Sequence, residues 1–439
     1  MKKHTLLIIC ISLLINGLYA QVNNGKSTFT LEECLHYAES NNFTLQSGAI
    51  DVTTSELNLR QAKENIAPTV SASASQGFNF GNYEKSVGWN GNYGINAGMT
   101  LFNGLSNYNK IQQSKLNVEQ SQLSLESSKN KIRISVIQAF LAIMMNEEML
   151  SYQQQVLTSS QEQMEQGKQQ LDVGQILESD YKMLQAQYTS DLYNIENTKN
   201  NIQANYLTLK NLLSIDPSTQ ISITPPDSAT LFKNLELPSL QELIERSTNY
   251  LPELKMSEND IANAEYNVKI QKANFYPTLS ASAGISTGYN GSNLTAPNTA
   301  WGTQLWHGLG ENIGLSLNIP IYQRSNVRNS VKLAEYRVEQ YELEQKETEH
   351  KVHQELQQSY LDVMSAQNDF IAAEAKTDAY LANYKTYSLR FKYGSVTAVD
   401  LIQQQTNFLN QLNQFMRAKY TYVLQRKILD VYMGIPVTL

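Results

Sequence analysis

The sequence predicts an α+β membrane protein with a duplicated half, in which a two-stranded β-hairpin is joined to a long α-helical hairpin. Three observations predict it. The chain repeats itself once along almost its whole length, two stretches of more than a hundred residues contain no proline, and four segments of about ten residues alternate apolar with uncharged polar side chains.

The repeat shows first in "APTVSASA" at 67–74, which returns as "YPTLSASA" at 276–283. Leu31, Glu33 and Leu45 match Leu240, Glu242 and Leu254 at the same offset. From Phe102 the offset lengthens by eleven residues and then holds: Phe102 with Tyr322, Phe140 with Tyr360, Gly174 with Gly394, Asp180 with Asp400. So long a period is a duplicated half rather than a solenoid array. The halves span 31–216 and 240–436, and the linker 217–239 holds Pro217, Pro225, Pro226 and Pro238.

Residues 1–20 read as a secretory signal peptide: Lys2 and Lys3, an apolar run over 6–15, then Ala20. Cys10 falls inside that run and Cys34 is left without a partner, so the exported fold is held by packing rather than by disulfides. No later stretch approaches the ~18 consecutive apolar residues of a spanning helix, which leaves β-strands as the membrane element. The net charge of −7 argues against nucleic acid as a partner.

Strands are expected over about 69–80, 89–102, 278–289 and 312–322. Along the first, Val70, Ala72 and Ala74 alternate with Ser71, Ser73 and Ser75; along the second, Tyr93, Ile95 and Ala97 alternate with Asn92, Gly94 and Asn96. The other half repeats the code, with Ser280, Ser282, Ser316 and Asn318 on its polar side and Leu279, Ala281, Ile313, Leu315, Leu317, Ile319 and Ile321 on its apolar side. Length and period match membrane barrel strands, with the apolar side toward lipid and the polar side toward a pore. Trp89, Trp301 and Trp306 gather toward one end and Phe102, Tyr276 and Tyr322 toward the other, as two interfacial girdles would. Four strands cannot close a barrel, so several chains must contribute: two would supply eight strands and three would supply twelve.

Helices are expected over about 103–171, 176–215, 323–391 and 396–435. Apolar residues recur every seven positions at Val136, Ile143, Leu150, Leu157, Met164 and Leu171, and again at Tyr181, Tyr188, Ile195, Ile202 and Leu209. Each half is thus a long helix, a turn at Gly174 or Gly394, and a returning helix. The first would be about 100 Å long at 1.5 Å per residue. Polar positions between the stripes, Glu147, Gln154, Gln161 and Lys168, suit a wide helical barrel better than a dry two-stranded coil.

Other signals carry no chemistry. "GKST" at 25–28 lacks the earlier glycine and the preceding strand of a phosphate loop. Glu347, His350 and His353 have helical spacing but sit in a heavily charged helix, which reads as a solvated face rather than a metal site. No nucleophile, base and acid set is spaced for catalysis, so no enzyme, metal or cofactor is expected.

Together with "TLEECLHYAESNN" at 30–42, the order of signal, strand pairs and helical hairpins resembles the TolC-like outer-membrane efflux protein family over nearly the whole mature chain. The resemblance implies a homotrimeric channel-tunnel in the outer-membrane lipid, with a twelve-stranded β-barrel continued by a helical barrel through the periplasm. It also implies partners: a periplasmic adaptor and an inner-membrane pump of the RND, ABC or MFS type, passing drugs, other small molecules or proteins. Val173, Gly174, Gln175, Tyr393, Gly394 and Ser395 match the periplasmic tips that meet the adaptor. Asp400 and Gln403 match a pair of aspartates at the tunnel entrance, of which only Asp400 is kept. Phe391 and Val396 replace the tyrosine and arginine that latch the best-known member, so closure is expected to rest on packing. Two roles are open to Asp400, a ring of negative charge at the entrance or a cap on the returning helix. The alternative to a channel is a non-conducting periplasmic coiled-coil scaffold or adhesin, which would not need four lipid-facing strands.

Overall fold

The computed structural model describes residues 28–81, 87–226, 237–292 and 300–436; the signal-like segment 1–20 lies outside the described residues. The first half runs β1 (Thr28–Phe29), α1 (Leu31–Asn41), α2 (Phe43–Glu64), β2 (Thr69–Phe80), β3 (Val87–Asn103), α3 (Ser106–Asp172) and α4 (Glu178–Leu213). After β4 (Ser222–Ile223) the second runs α5 (Leu240–Tyr250), α6 (Pro252–Ala273), β5 (Thr278–Ser292), α7 (Trp301–His307), β6 (Gly310–Asn318), α8 (Asn326–Lys392) and α9 (Ala398–Tyr432). The duplication extends to element length: 11, 22, 67 and 36 helical residues in one half face 11, 22, 67 and 35 in the other.

The short helices start where side chains replace missing backbone partners. Thr30 and Glu33 form a reciprocal capping box at α1, with Thr30 N–H donating to Glu33 Oε2 at 3.0 Å. The Asn42 side chain accepts from Thr44 N–H at 2.9 Å to start α2. In the second half Ser239 caps α5 and Pro252 opens α6.

The long helices explain why the short ones are needed. At 1.5 Å per residue α3 is about 100 Å long, whereas α4 is about 54 Å and α2 about 33 Å. The returning helix α4 therefore covers α3 only toward the turn, and α2 and α6 cover it toward the strands. The core lies near the middle, where Val136, Ile137, Phe140 and Ile143 meet Leu209, Leu213, Leu412 and Met416. One 18-residue window of α3 reaches, by length and composition, the mean hydropathy of a membrane span, although it is not continuously apolar. Part of that window is buried in this core. Cys34 joins the same core fully buried, and burial pushes its thiol up to about 12.

Along α3 the most buried seven-residue series is Met149, Val156, Gln163 and Gln170. The apolar stripe Leu150, Leu157, Met164 and Leu171 lies one position away and is half-buried. A helix flanked on two sides by other helices buries both edges of its stripe, so polar residues enter the seam.

Four strands form one antiparallel sheet in the order β2-β3-β5-β6, while β1 and β4 pair in parallel beside the helices. Several boundaries differ from the sequence reading. Strand β6 ends at Asn318, and Ile319, Ile321 and Tyr322 fall beyond it, because Pro320 has no N–H for a ladder and restrains the residue before it. The helices α3 and α8 start three residues late, at Ser106 and Asn326, behind left-handed corners at Gly104 and Leu105 and at Arg324 and Ser325. Strand β5 continues to Ser292.

Gly104 locks the two halves at their strand-to-helix corner: a Cβ there would stand 2.5 Å from the Ala273 carbonyl oxygen and 3.0 Å from Tyr276 Cβ. Gly174 has a similar φ of +74° but open space around it. Gly174→Ala is therefore expected to lose only the ~1–2 kcal/mol of left-handed strain, and Gly104→Ala distinctly more, in paired urea or thermal melts.

Candidate channel wall and helical tips

The register of the sheet sorts its side chains into two faces. Ser71 stands opposite Asn96, Asn96 opposite Gly284, and Gly284 opposite Asn312. Ser73, Asn92, Ser280, Ser282, Ser316 and Asn318 belong to the same face. All eight residues expected to face a pore are thus brought together. The opposite face carries the rows Val70, Ala97, Ala283, Ile313 and Met99, Ala281, Leu315. It is open: Val70 is 70% exposed, Ile313 91% and Leu315 72%.

Two devices keep these faces clean. A bulge between Thr100 and Phe102 shifts the register, so Phe102 rather than Leu101 stands beside Leu279 and Leu317. Glycines make room for side chains that lie flat across a neighbouring strand: a Cβ at Gly284 would be 2.6 Å from Asn96 Oδ1, and one at Gly291 would be 2.4 Å from Trp89 Nε1. The four strands hold one charged residue, Glu311, at the start of β6.

At the far end of the molecule the two turns are closed alike. Gly174 N–H donates to Leu171 O at 2.9 Å and Gln175 N–H to Gln170 O at 2.8 Å; Gly394 N–H donates to Phe391 O and Ser395 N–H to Arg390 O, both at 2.9 Å. This is the Schellman pattern, which needs a left-handed residue at the glycine. It leaves Val173 and Tyr393 protruding, 70% and 80% exposed. The two turns lie side by side, since Gln166 Nε2 donates to Lys392 O at 2.9 Å and Gln170 Nε2 to Phe391 O at 3.4 Å.

The residues matched to a tunnel entrance separate. Asp400 and Gln403 are exposed one turn apart on α9, but Phe391 is 1% exposed and packs into the core beside Ala398 and Leu401. Asp400 completes a capping box with Thr397: Thr397 N–H donates to Asp400 Oδ2 and Asp400 N–H to Thr397 Oγ1, each at 3.1 Å. The Thr397 hydroxyl, donating to the same carboxylate, holds Asp400 below the usual carboxylate range. It is therefore both a cap and a fixed exposed anion at neutral pH. Glu347, His350 and His353 lie on the exposed side of α8.

Sequence reasoning missed a buried polar junction where both hairpins meet. Asp191 on α4 accepts from Ser160 Oγ at 2.5 Å, Gln405 Nε2 at 2.8 Å and Gln187 Nε2 at 2.9 Å. Ser160 is on α3 and Gln405 on α9, and all three side chains are buried. A cavity of about 430 Å³ lies beside Asp191, lined by Asn146, Asn194, Asn410 and Asn413 among others. Nearby, Gln163 Nε2 donates to the Tyr384 hydroxyl at 3.1 Å and Lys419 Nζ lies 2.7 Å from Glu148 Oε2. The available signal was spacing: Asp191 stands seven residues after Leu184, and Gln405 seven after Ala398 and seven before Leu412, so each is a polar residue at a position that its own helix elsewhere gives to an apolar one.

Burial raises the Asp191 carboxyl above its ordinary value, against the three donors that lower it. A raised folded-state value means that the folded chain binds the proton more tightly than the unfolded one. The Asp191 contribution is then fullest below the unfolded value of ~4 and declines as pH rises through the folded value. Melting temperatures measured across that window should fall with rising pH more steeply in the wild type than in Asp191→Asn.

One open sheet with an apolar and a polar face is thus continued by helices about 100 Å long. A family model described as "Outer membrane efflux protein" matches residues 34–214 and again 243–434. The chain belongs to the outer membrane efflux protein family, a family of channels rather than enzymes, and its place is the outer membrane with the helical part in the periplasm. "Outer membrane protein TolC" of Escherichia coli (strain K12) is 24% identical over 273 residues, which are 60% of this chain and 52% of that protein. The chain thus spans about half the length of the curated relatives it matches. Among solved structures, the fold is similar to CusC at a TM-score of 0.79 and 15% identity, covering 92% of both chains. It is also similar to the Campylobacter jejuni CmeC outer membrane channel at 0.75 and 17% identity, covering 92% of this chain and 85% of that one.

Proposed function

We propose that three copies of the chain close a twelve-stranded barrel and form the passive outer-membrane conduit of a tripartite efflux or type I secretion system. The observation that carries this reading is the sheet itself, whose strands β2 and β6 each have a single neighbour and whose apolar face is open. Backbone groups at such edges cannot stand unpaired in lipid. Pairing β6 of one copy with β2 of the next satisfies these groups along the nine residues of β6, and the alternation of strand direction is kept. A periplasmic scaffold would have no use for this face.

In this reading the two repeats, 31–216 and 240–436, each supply one hairpin to the barrel and one to the tunnel. Ser71, Ser73, Asn92, Asn96, Ser280, Ser282, Ser316 and Asn318 line the pore. The exposed tips at Val173, Gly174, Gln175, Tyr393, Gly394 and Ser395 present one surface to a periplasmic adaptor, which couples the tunnel to an inner-membrane pump of the RND, ABC or MFS type. Drugs, other small molecules or proteins are the cargo, and the pump supplies the energy. Around a narrow three-fold axis, three Asp400 carboxylates form a negative ring that favours cations, with Gln403 one turn further along the helix.

Native mass spectrometry of the detergent-extracted protein should give three times the chain mass, and planar bilayers should show small cation-selective currents. Asp400→Asn is expected to weaken block by multivalent cations; unchanged block would remove Asp400 from the entrance. A monomer released into the soluble fraction by osmotic shock would end the channel reading.

A further inference from the structure

The two connections at the outer end of the sheet differ in charge. The one between β2 and β3 contains Glu84 and Lys85, whereas residues 273–310 contain no Asp, Glu, Lys or Arg, in a chain of which 17% is charged. A connection lying in water has no reason to shed every charge. Within it, α7 lies along β5 where β6 stops short: the β5–β6 ladder ends at Ser286 and Gly310, while β5 itself runs on to Ser292. Thr287 Oγ1 donates to Leu305 O at 2.5 Å, and Asn290 N–H donates to Gln304 Oε1 at 3.1 Å. Thr287 stands opposite Tyr93, and Tyr93 opposite Ala74, in the apolar set of rows. The helix is therefore held from the apolar side of the sheet. Its large side chains remain uncovered, with Trp301 67%, Trp306 79% and the following Leu309 52% exposed.

We propose that α7 is an interfacial clamp that seats Trp301 and Trp306 at the boundary of headgroups and acyl chains in the outer leaflet. The occupant is lipid because the helix continues the open apolar face and because α7 itself holds no Asp, Glu, Lys or Arg; Glu311, opposite Ile285 at the start of β6, is the charged residue that follows it in the chain. Tryptophan suits that depth, with an apolar ring and one N–H donor for the headgroup side. The clamp covers the flank of β5 that the short β6 leaves bare. It rests on the reading of the sheet as a barrel wall.

The chain has three tryptophans, so fluorescence of the reconstituted full-length protein separates the two ideas. In Trp89→Phe the emission comes from Trp301 and Trp306; in the double variant Trp301→Phe with Trp306→Phe it comes from Trp89 alone. Phosphatidylcholine brominated just below the headgroup should quench the α7 pair strongly, lipid brominated near the bilayer centre weakly, and aqueous iodide hardly at all. Quenching by iodide without quenching by bromolipid puts α7 in water and overturns the clamp. Insensitivity to both places it against a neighbouring copy, where Phe78 and Phe80 of β2 are also exposed, and overturns it too. Trp89 lies over Gly291 on the apolar face. If Trp89 is quenched by bromolipid while the α7 pair is not, the clamp fails and the barrel stands; if Trp89 escapes as well, the barrel reading falls.

Discussion

Backbone hydrogen bonding at the two outer strands of the sheet governs the rest of the molecule. The strands β2 and β6 each use one ladder and leave the other open, and both lie in a sheet whose apolar face is largely open among the described residues. In water such a sheet would aggregate through its edges, and in lipid its free N–H and C=O groups would each cost several kcal/mol. The proposed closure with further copies resolves both problems together. It also explains the restraint of the strands themselves, which keep charge off both faces except at Glu311 and correct the register with a bulge so that Phe102 meets Leu279.

The helical body answers a different demand, that of length. A helix of 67 residues has no single partner long enough to cover it, because the returning helix has 36. The chain solves this by giving each half a second, 22-residue helix ahead of its strands. Two partners meet α3 near its middle, and there the apolar core is densest. Beyond it toward the turns the seams become polar, with Gln163, Gln170, Asp191 and Gln405 buried and bonded between the hairpins. Polar seams fix the register of neighbouring helices more narrowly than apolar ones, since each misplaced group would be left unsatisfied.

Asp400 shows how a cap can also be a fixed exposed anion. As the third residue of α9 it completes the capping box with Thr397, and the same bonds keep its carboxylate ionised and fixed in direction. The sequence posed these roles as alternatives, yet the geometry makes them compatible. Phe391 illustrates the opposite outcome. Its place three residues before Gly394 suggested the entrance, but its ring is the apolar anchor under the turn.

The duplication, the strand code, the long helices and the glycine turns were legible because each is a local pattern: period two, period seven, proline absence, or a left-handed corner. The faces of the sheet followed from the same alternation, as the rows through Ser71 and Asn96 show. Three things required the folded chain. Ile319 and Ile321 continued the alternation in sequence, but the loss of the Pro320 donor ended the ladder before them. The burial of Gln163 over Met164 depended on which helices flank α3. The Asp191 junction joins residues from α3, α4 and α9, with Ser160 and Gln405 far apart along the chain. Local patterns decide which way a residue can point on its own element; which neighbour it meets there depends on distances between elements, and only tertiary packing sets those.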